Sequence, residues 1–345
     1  MTKMMNSCER VLTALRKQEP DRVPICEMFI NKKIINNIYA GCTYFNFIEY
    51  VDLDIVTIPS NNGMKKISGN LYRDSWDVVY QDTGEWELIE AKYPINSKDD
   101  LLKYSPPNPA GDFRLKELEN CVSKFKGDKA IIFLIRDSFS RPRKLVGMEK
   151  LLISYITDKD FINDIIELSV EYNLKLLEMA IEIGADIIIS ADDYASNYGP
   201  IMSPSHFKEF ILPGLTKIVR RTHELGAMYI KHSDGNLWPI LDMIVGTGID
   251  GLHPIDPGAS MNIFEVKEKY QNQICVIGNV DCVHVLPDGT KDEVDEEVKN
   301  LISCLAPGGG FMISSSNSIH SGVKSDNFLA MIEATKKYGV YPINY

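Results

Sequence analysis

Eight short apolar runs, at residues 23–29, 54–58, 130–135, 185–190, 228–230, 250–252, 274–278 and 310–314, constrain the fold of this chain more than any other feature. Amphipathic patterns lie between the later ones, at 161–183, 205–225, 237–245, 263–270, 291–305 and 326–338. A strand buried on one face alternates polar and apolar residues, whereas a continuous apolar run is what a strand buried on both faces requires. Such strands alternating with helices imply a parallel sheet covered by helices. Eight of them imply an α/β protein of the (β/α)8 TIM barrel type, expected here as one domain over 1–345. An N-terminal helix over 7–17 precedes the first run, and 72–112, with Trp76, Trp86 and Pro106-Pro107, reads as an insertion with a small hairpin. A doubly wound open sheet is the alternative, but no G-x-G-x-x-G follows a strand.

Composition narrows the partners. Lys and Arg number 37 against 48 Asp and Glu, a net charge of −11, which disfavours nucleic acid and anionic membrane surfaces. No apolar run approaches the ~20 residues of a membrane span, and residues 1–4 lead into a polar helix pattern and not an apolar signal segment, so a cytoplasmic protein is expected. The seven cysteines (8, 26, 42, 121, 275, 282 and 304) are widely spaced without a C-x-x-C and read as reduced thiols. A homodimer is an admissible assembly.

In a barrel the loops after the strands build the active site, so polar residues just past each run are the candidates. Glu27 belongs to the first run, Arg136 and Asp137 follow the third, and Asp192, Asp193 and Tyr194 the fourth. His232 and Asp234, in "KHSDGN", follow the fifth, His253 and Asp256 the sixth, Asn279 and Asp281 the seventh, and Asn317 and His320 the eighth. His232-x-Asp234 suits a metal ligand pair or an acid/base pair; the blander reading makes Asp234 the cap of a helix starting near Leu237. Adjacent carboxylates at 192 and 193 are either a solvated turn or partners of a cation, since burying both unpaired is costly. Gly308-Gly309-Gly310 precedes a strand and reads as a turn, not a phosphate cradle. No G-x-S-x-G elbow or P-loop is present.

"RVLTALRKQEPDRVPI", "ADDYASNYGPIMSPSHFKEF", "HSDGNLWPILDMIVGTGIDGLHPI", "GNVDC", "LAPGGGFMISSSNSIHSGV" and "NFLAMIEATKKYG" together resemble the uroporphyrinogen decarboxylase superfamily of (β/α)8 barrels, and more narrowly its corrinoid-dependent methyltransferase branch. The resemblance covers nearly the whole chain. True decarboxylases of the family carry an arginine-rich R-Q-A-G-R segment after the first strand; here residues 27–33 hold no arginine. Thiol methyltransferases of the family hold zinc with His-x-Cys and a distant Cys, where this chain has His232, Asp234 and Asn317. Loss of both thiolates leaves an oxygen-rich site or none, so His232 and Asp234 are expected to bind metal weakly, with Glu27, Asn317, His320 or Cys282 as the third donor and zinc one candidate.

That departure implies an enzyme that takes a methyl group from a small methylated substrate, such as an aryl methyl ether or a methylamine, and gives it to a corrinoid protein. His232, Asp234, Asp192, Asp193 and His320 are the expected catalytic groups, and Glu27, Arg136, Tyr194, Asn279 and Asn317 the expected substrate contacts. None of the six histidines has Asp two residues before it, so the D-x-H-x-x-G corrinoid motif is absent and cobalamin would arrive on a partner protein. A decarboxylase of a small acid, with Arg136 or Arg141 holding the carboxylate, and a non-catalytic ligand-binding barrel are the alternatives.

Overall fold

The structure is a computed structural model that describes residues 4–59, 63–83 and 88–343. Seven parallel strands form its central sheet: β1 (Ile55–Ile58), β2 (Ala130–Ile135), β3 (Ile187–Ala191), β4 (Met228–His232), β5 (Gly251–His253), β6 (Cys275–Ile277) and β7 (Phe311–Met312), paired in chain order. Among the helices are α1 (Ser7–Leu15), α2 (Arg114–Phe125), α3 (Lys159–Ile183), α4 (Leu212–Glu224), α5 (Trp238–Val245), α6 (Ile263–Tyr270), α7 (Lys291–Leu305) and α8 (Ser325–Tyr338).

The eighth expected strand, at 23–29, is not a ladder. Ile25 bridges Ile313 and Ile30 bridges Ile319, both parallel, and nothing longer forms. The local chemistry explains this. Pro24 has no N–H, and the Ile25 N–H donates to the Asp54 side chain at 2.8 Å instead of to a strand. Yet the same segment reaches both edges of the sheet: Cys26 donates to the Ile313 carbonyl, Ile313 to that of Pro24, and Asp54 to that of Ile25. One short segment bonded to both edges requires the sheet to curl round.

Period-2 alternation then sorts the apolar residues of each run into two cores. Ala130, Ile132 and Leu134 join Ile187, Ile189, Ile230, Cys275, Ile277 and Met312 on the inner face, which α1 plugs with Val11, Ala14 and Leu15. Ile131, Phe133 and Ile135 join Ile188, Tyr229, Leu252, Val276 and Phe311 on the outer face, packed against the helices. Near the α1 end, Asp54 is fully buried and receives Arg10 at 2.6 Å, Arg22 at 2.8 Å and the Ile25 amide. The glycine run before β7 is a turn: Gly309 has φ +79°, and a Cβ there would stand 2.3 Å from the Gln18 backbone.

The insertion is larger than a hairpin and starts before residue 72. Lys65–Ser68, Leu71–Arg73, Val79–Gln81 and Ile89–Lys92 form a four-stranded antiparallel sheet; Trp86 lies outside the described residues. All seven cysteines are free. Among the described residues no helix is long and apolar enough to cross a membrane.

Replacing Asp54 with Ala removes the acceptor shared by Arg22, the buried Ile25 amide and Arg10, although Arg10 keeps its pair with Asp21. We expect a loss of about 3–5 kcal/mol, read as a lower thermal unfolding midpoint; an unchanged midpoint would show that Asp54 does not join the sheet edges.

Candidate active site at the strand ends

β4 ends on His232, which pairs in register with Ala191 of β3 and His253 of β5. Because Ile230 faces inward, His232 does too, and its ring packs edge-on against Phe29 at 6.1 Å. Gly235 then turns the chain at φ +88°, where a Cβ would sit 2.5 Å from the Ala195 carbonyl oxygen. The turn brings Asp234 back over the strand end, so that His232 Nε2 lies 3.7 Å from Asp193 Oδ1 and 3.8 Å from Asp234 Oδ1. Asn317 donates to Asp234 Oδ2 at 2.6 Å. Asp234 is no helix cap: the Trp238 amide at the start of α5 donates to Asn236 Oδ1 at 3.2 Å.

The electrostatics are polarised. Burial, assisted by the charges of Lys231 and Arg136, pushes the His232 imidazole down to about 3, so the ring is neutral. His232 Nδ1 is bonded to His253 Nδ1 at 2.7 Å, with the two rings stacked at 5.0 Å, which leaves Nε2 to face the acids. Burial, then the charges of Asp193 and Asp256, raise Asp234 to about 7 despite the bond from Asn317. Its Oδ1 is buried without a hydrogen-bond partner. An orphaned carboxylate oxygen beside a second carboxylate and a free imidazole nitrogen suits a proton or a divalent cation. The donor atoms of Asp193, His232 and Asp234 all lie within 4.8 Å of one another. Asp193 is the third member of this group, which among the described residues includes none of Glu27, His320 and Cys282, while Asn317 adjoins it through Asp234.

Asp192 does not join this cluster. Asp192 and Asp193 are successive residues leaving β3, and alternation sends them to opposite faces. Asp193 lies exposed at the mouth, whereas Asp192 is fully buried on the helix-facing side, accepting the amides of Asp137, Phe139 and Ser140 at 3.2, 3.0 and 2.9 Å. Lys231, next to His232 but on the outer face, is fully buried there: its Nζ contacts Asp137 Oδ2 at 2.8 Å, Ser190 Oγ at 3.3 Å and the Asp192 carbonyl at 2.9 Å. Burial alone would raise Asp192, but Lys231 and Arg136 hold it low; burial and Asp192 push Asp137 up. Asp192, expected among the catalytic groups with His232, therefore belongs instead to a second layer back to back with the first. A lysine inside the apolar run Met228–His232 is the signal that could have revealed the second.

Other expected site residues lie outside the His232 cluster, although His320 lines the cavity beside Phe29. Tyr194 is fully buried under the Lys231 ammonium, 4.0 Å from its ring centre, and between Phe139 and Phe207, so it faces no substrate. His320 spends both ring nitrogens on backbone, Nε2 on the Cys282 carbonyl at 2.7 Å and Nδ1 on the Gly322 amide. Asn279 donates to the Ile255 carbonyl at 2.7 Å and lines a separate cavity with Asp281 and Glu297. Glu27 is fully buried, its oxygens taken by the Ser315 amide and hydroxyl. Arg136 donates to the Ala191 carbonyl, and Arg141 pairs with Asp74 and stacks on Trp76. His253, noted only as a strand-end residue in the sequence, proves to be the direct partner of His232. Beside Phe29 lies an apolar cavity of about 390 Å³, lined by Met28, Ile30, Ile35, Tyr44, Thr57 and Ile319 among others.

Known proteins similar to this chain match along most of its length. A family model described as "Uroporphyrinogen decarboxylase (URO-D)" matches residues 82–338. The methylcobamide:CoM methyltransferase MtbA of Methanosarcina acetivorans is 25% identical over 96% of this chain and 97% of its own length. The uroporphyrinogen decarboxylase of Psychromonas ingrahamii is 22% identical over 97% of both. The solved structure of a methyltransferase from Methanosarcina mazei superposes with a TM-score of 0.75 at 19% identity, covering 97% of this chain and 99% of the other.

Two outcomes follow from the charges. Asp234, raised from its ordinary 3.8 to about 7, favours the fold fully at acid pH, and that contribution is lost as pH rises through 7. Asp234→Asn should accordingly lessen the fall in thermal midpoint between pH 5 and pH 8; an equal fall in both proteins would contradict the raised value. Lys231→Met, which leaves Asp137 and Asp192 buried without their cation, should cost about 3–5 kcal/mol. Adding Asp137→Asn should recover part of it, and additive losses in denaturation of the two variants would argue against the pairing.

Proposed function

This chain belongs to the uroporphyrinogen decarboxylase family, and we propose that it transfers a methyl group from a small methylated substrate to the cobalamin of a separate corrinoid protein. The observation that carries the reading is the neutral His232 imidazole, its Nε2 turned toward Asp193 and Asp234 at a solvent-reaching strand end. End-to-end similarity to methylcobamide methyltransferases supports the class of reaction. The absence of thiolates at 234 and 317 supports a substrate whose methyl leaves an oxygen or nitrogen, such as an aryl methyl ether or a methylamine. The apolar cavity beside Phe29 favours an uncharged organic body over a polar one. The decarboxylase alternative loses its anchors, since Arg136 and Arg141 are both engaged with protein groups.

When bound on its partner, the corrinoid supplies the nucleophile that takes the methyl carbon. The work left to this chain is to make the leaving atom better. Asp193 is about half exposed at 51%, so the site opens to a docked partner. A proton held at His232 Nε2, or on the carboxyl of Asp234, lies where a leaving oxygen or nitrogen would receive it. Asn317 orients Asp234, and Phe29 holds the His232 ring and walls the site toward the cavity. If a divalent cation such as zinc binds, His232, Asp193 and Asp234 would hold it, and it would polarise the same leaving atom.

Incubating the protein with free cob(I)alamin and a panel of methoxylated aromatics and methylamines should yield methylcobalamin from at least one of them. His232→Ala should slow that reaction about 10²–10⁴-fold, with prior chelation showing whether a cation contributes. No methyl transfer from any substrate would overturn the reading.

A further inference from the structure

Three buried groups that the reading above does not use line up behind His232. His232 Nδ1 meets His253 Nδ1 at 2.7 Å, and His253 Nε2 meets Ser314 Oγ at 3.1 Å. Ser314 in turn stands close enough to the Glu27 carboxyl to draw its ionisation down, while the bonds that hold that carboxyl come from the Ser315 amide and hydroxyl. His253, Ser314 and Glu27 are all fully buried, and His232 nearly so. Every link joins two groups that can each donate or accept, so the chain can be written in two directions.

We propose that Glu27, Ser314 and His253 are a proton relay that ends on His232 Nε2 and decides whether that atom offers a proton or a lone pair. In one direction the Glu27 carboxyl donates to Ser314 Oγ, Ser314 to His253 Nε2, and His253 Nδ1–H to His232 Nδ1; His232 then carries its proton on Nε2, facing the site. When that proton passes to a leaving oxygen or nitrogen, each link shifts by one. His232 Nδ1–H now donates to His253 Nδ1, His253 Nε2–H to Ser314, and Ser314 to a Glu27 carboxylate. One proton has left Glu27 and one has arrived at the leaving atom. Neither ring acquires charge at either end of the process, which the low affinity of both buried imidazoles for a second proton demands. Glu27 is therefore a positioning residue that acts through His232.

Glu27 is the group that titrates, and it touches none of the three cation-capable side chains. Burial raises it to about 7 while the bonds from Ser315 and the nearby Ser314 hydroxyl pull it down. Its titratable neighbours are the thiols of Cys26 and Cys282, both kept neutral by burial. At the far end His232 is faced by Lys231 and Arg136 on one side and by Asp193 and Asp234 on the other, with Asp256 beyond Asp234. Asp234 titrates in the same range, so variants at the Glu27 end carry the test.

The inference depends on the methyl-transfer reading only for the destination of the proton, and its readout needs no methyl donor. In protein labelled with ¹⁵N-histidine, the His232 ring should move from the Nε2–H to the Nδ1–H tautomer as pH rises through the Glu27 ionisation near 7. E27Q should lose the switch and keep one tautomer throughout. S314A, a milder change, should leave Glu27 titrating in the infrared carboxyl band while His232 no longer follows. A wild-type His232 that keeps one tautomer across this range, or a switch that survives both variants, would overturn the relay. Where transfer is measurable, E27Q should flatten the pH profile near neutrality, and H232A should lower the rate at every pH. A tautomer switch without methyl transfer would sink the functional reading and leave the relay standing.

Discussion

The buried Lys231 ammonium is the interaction on which the rest of the site depends. Burying a lysine costs several kcal/mol unless its charge is met and its protons are all bonded. Here Asp137 from the end of β2, Ser190 on β3 and the Asp192 carbonyl do both, while the Tyr194 ring covers the ammonium. Three adjacent strand ends are thereby tied together on their helix-facing side. The opposite side of the same strands carries His232, Asp193 and His253, whose separations are set by that tie and by the pairing register.

This two-layer construction separates charges that would otherwise collide. The outer layer is fully buried: one ammonium, two carboxylates and three backbone amides, with Asp192 Oδ1 the one carboxylate oxygen there left without a hydrogen bond. The inner layer is left open, with a neutral imidazole, two crowded carboxylates and an unpartnered oxygen at the edge of solvent. Among the described residues Asp193 and Asp234 make no ion pair with a lysine or arginine; Lys231 is engaged behind the strands with Asp137, and Arg136 donates to the Ala191 carbonyl. Such a surface binds a proton or a cation readily and releases it at the cost of repulsion between Asp193 and Asp234.

Much of the fold was legible in the chain because it rests on local patterns. Runs such as 130–135 and 185–190 are apolar without interruption, and only a strand covered on both faces tolerates that. The exception is 23–29, which has the same apolar character but cannot extend a ladder, because Pro24 lacks a donor and Asp54 captures the next amide. Apolar content reports burial; it does not report where the backbone hydrogen bonds go.

For the site, the sequence by itself determined which segments would meet: polar residues after successive parallel strands must converge at one end of the sheet, so His232, Asp193, Asp234 and Asn317 were foreseeable as neighbours. What it did not determine was the facing of each side chain. Asp192 and Asp193 are equivalent as letters and opposite in space, because strand alternation resolves only once the register with β4 is known. Glu27, Tyr194 and His320 are polar residues at strand ends whose partners, Ser315, Lys231 and the Cys282 carbonyl, come from distant segments. Whether such a residue meets substrate or protein is decided by tertiary contact, since a buried polar group must be satisfied and whichever partner the fold brings within reach satisfies it.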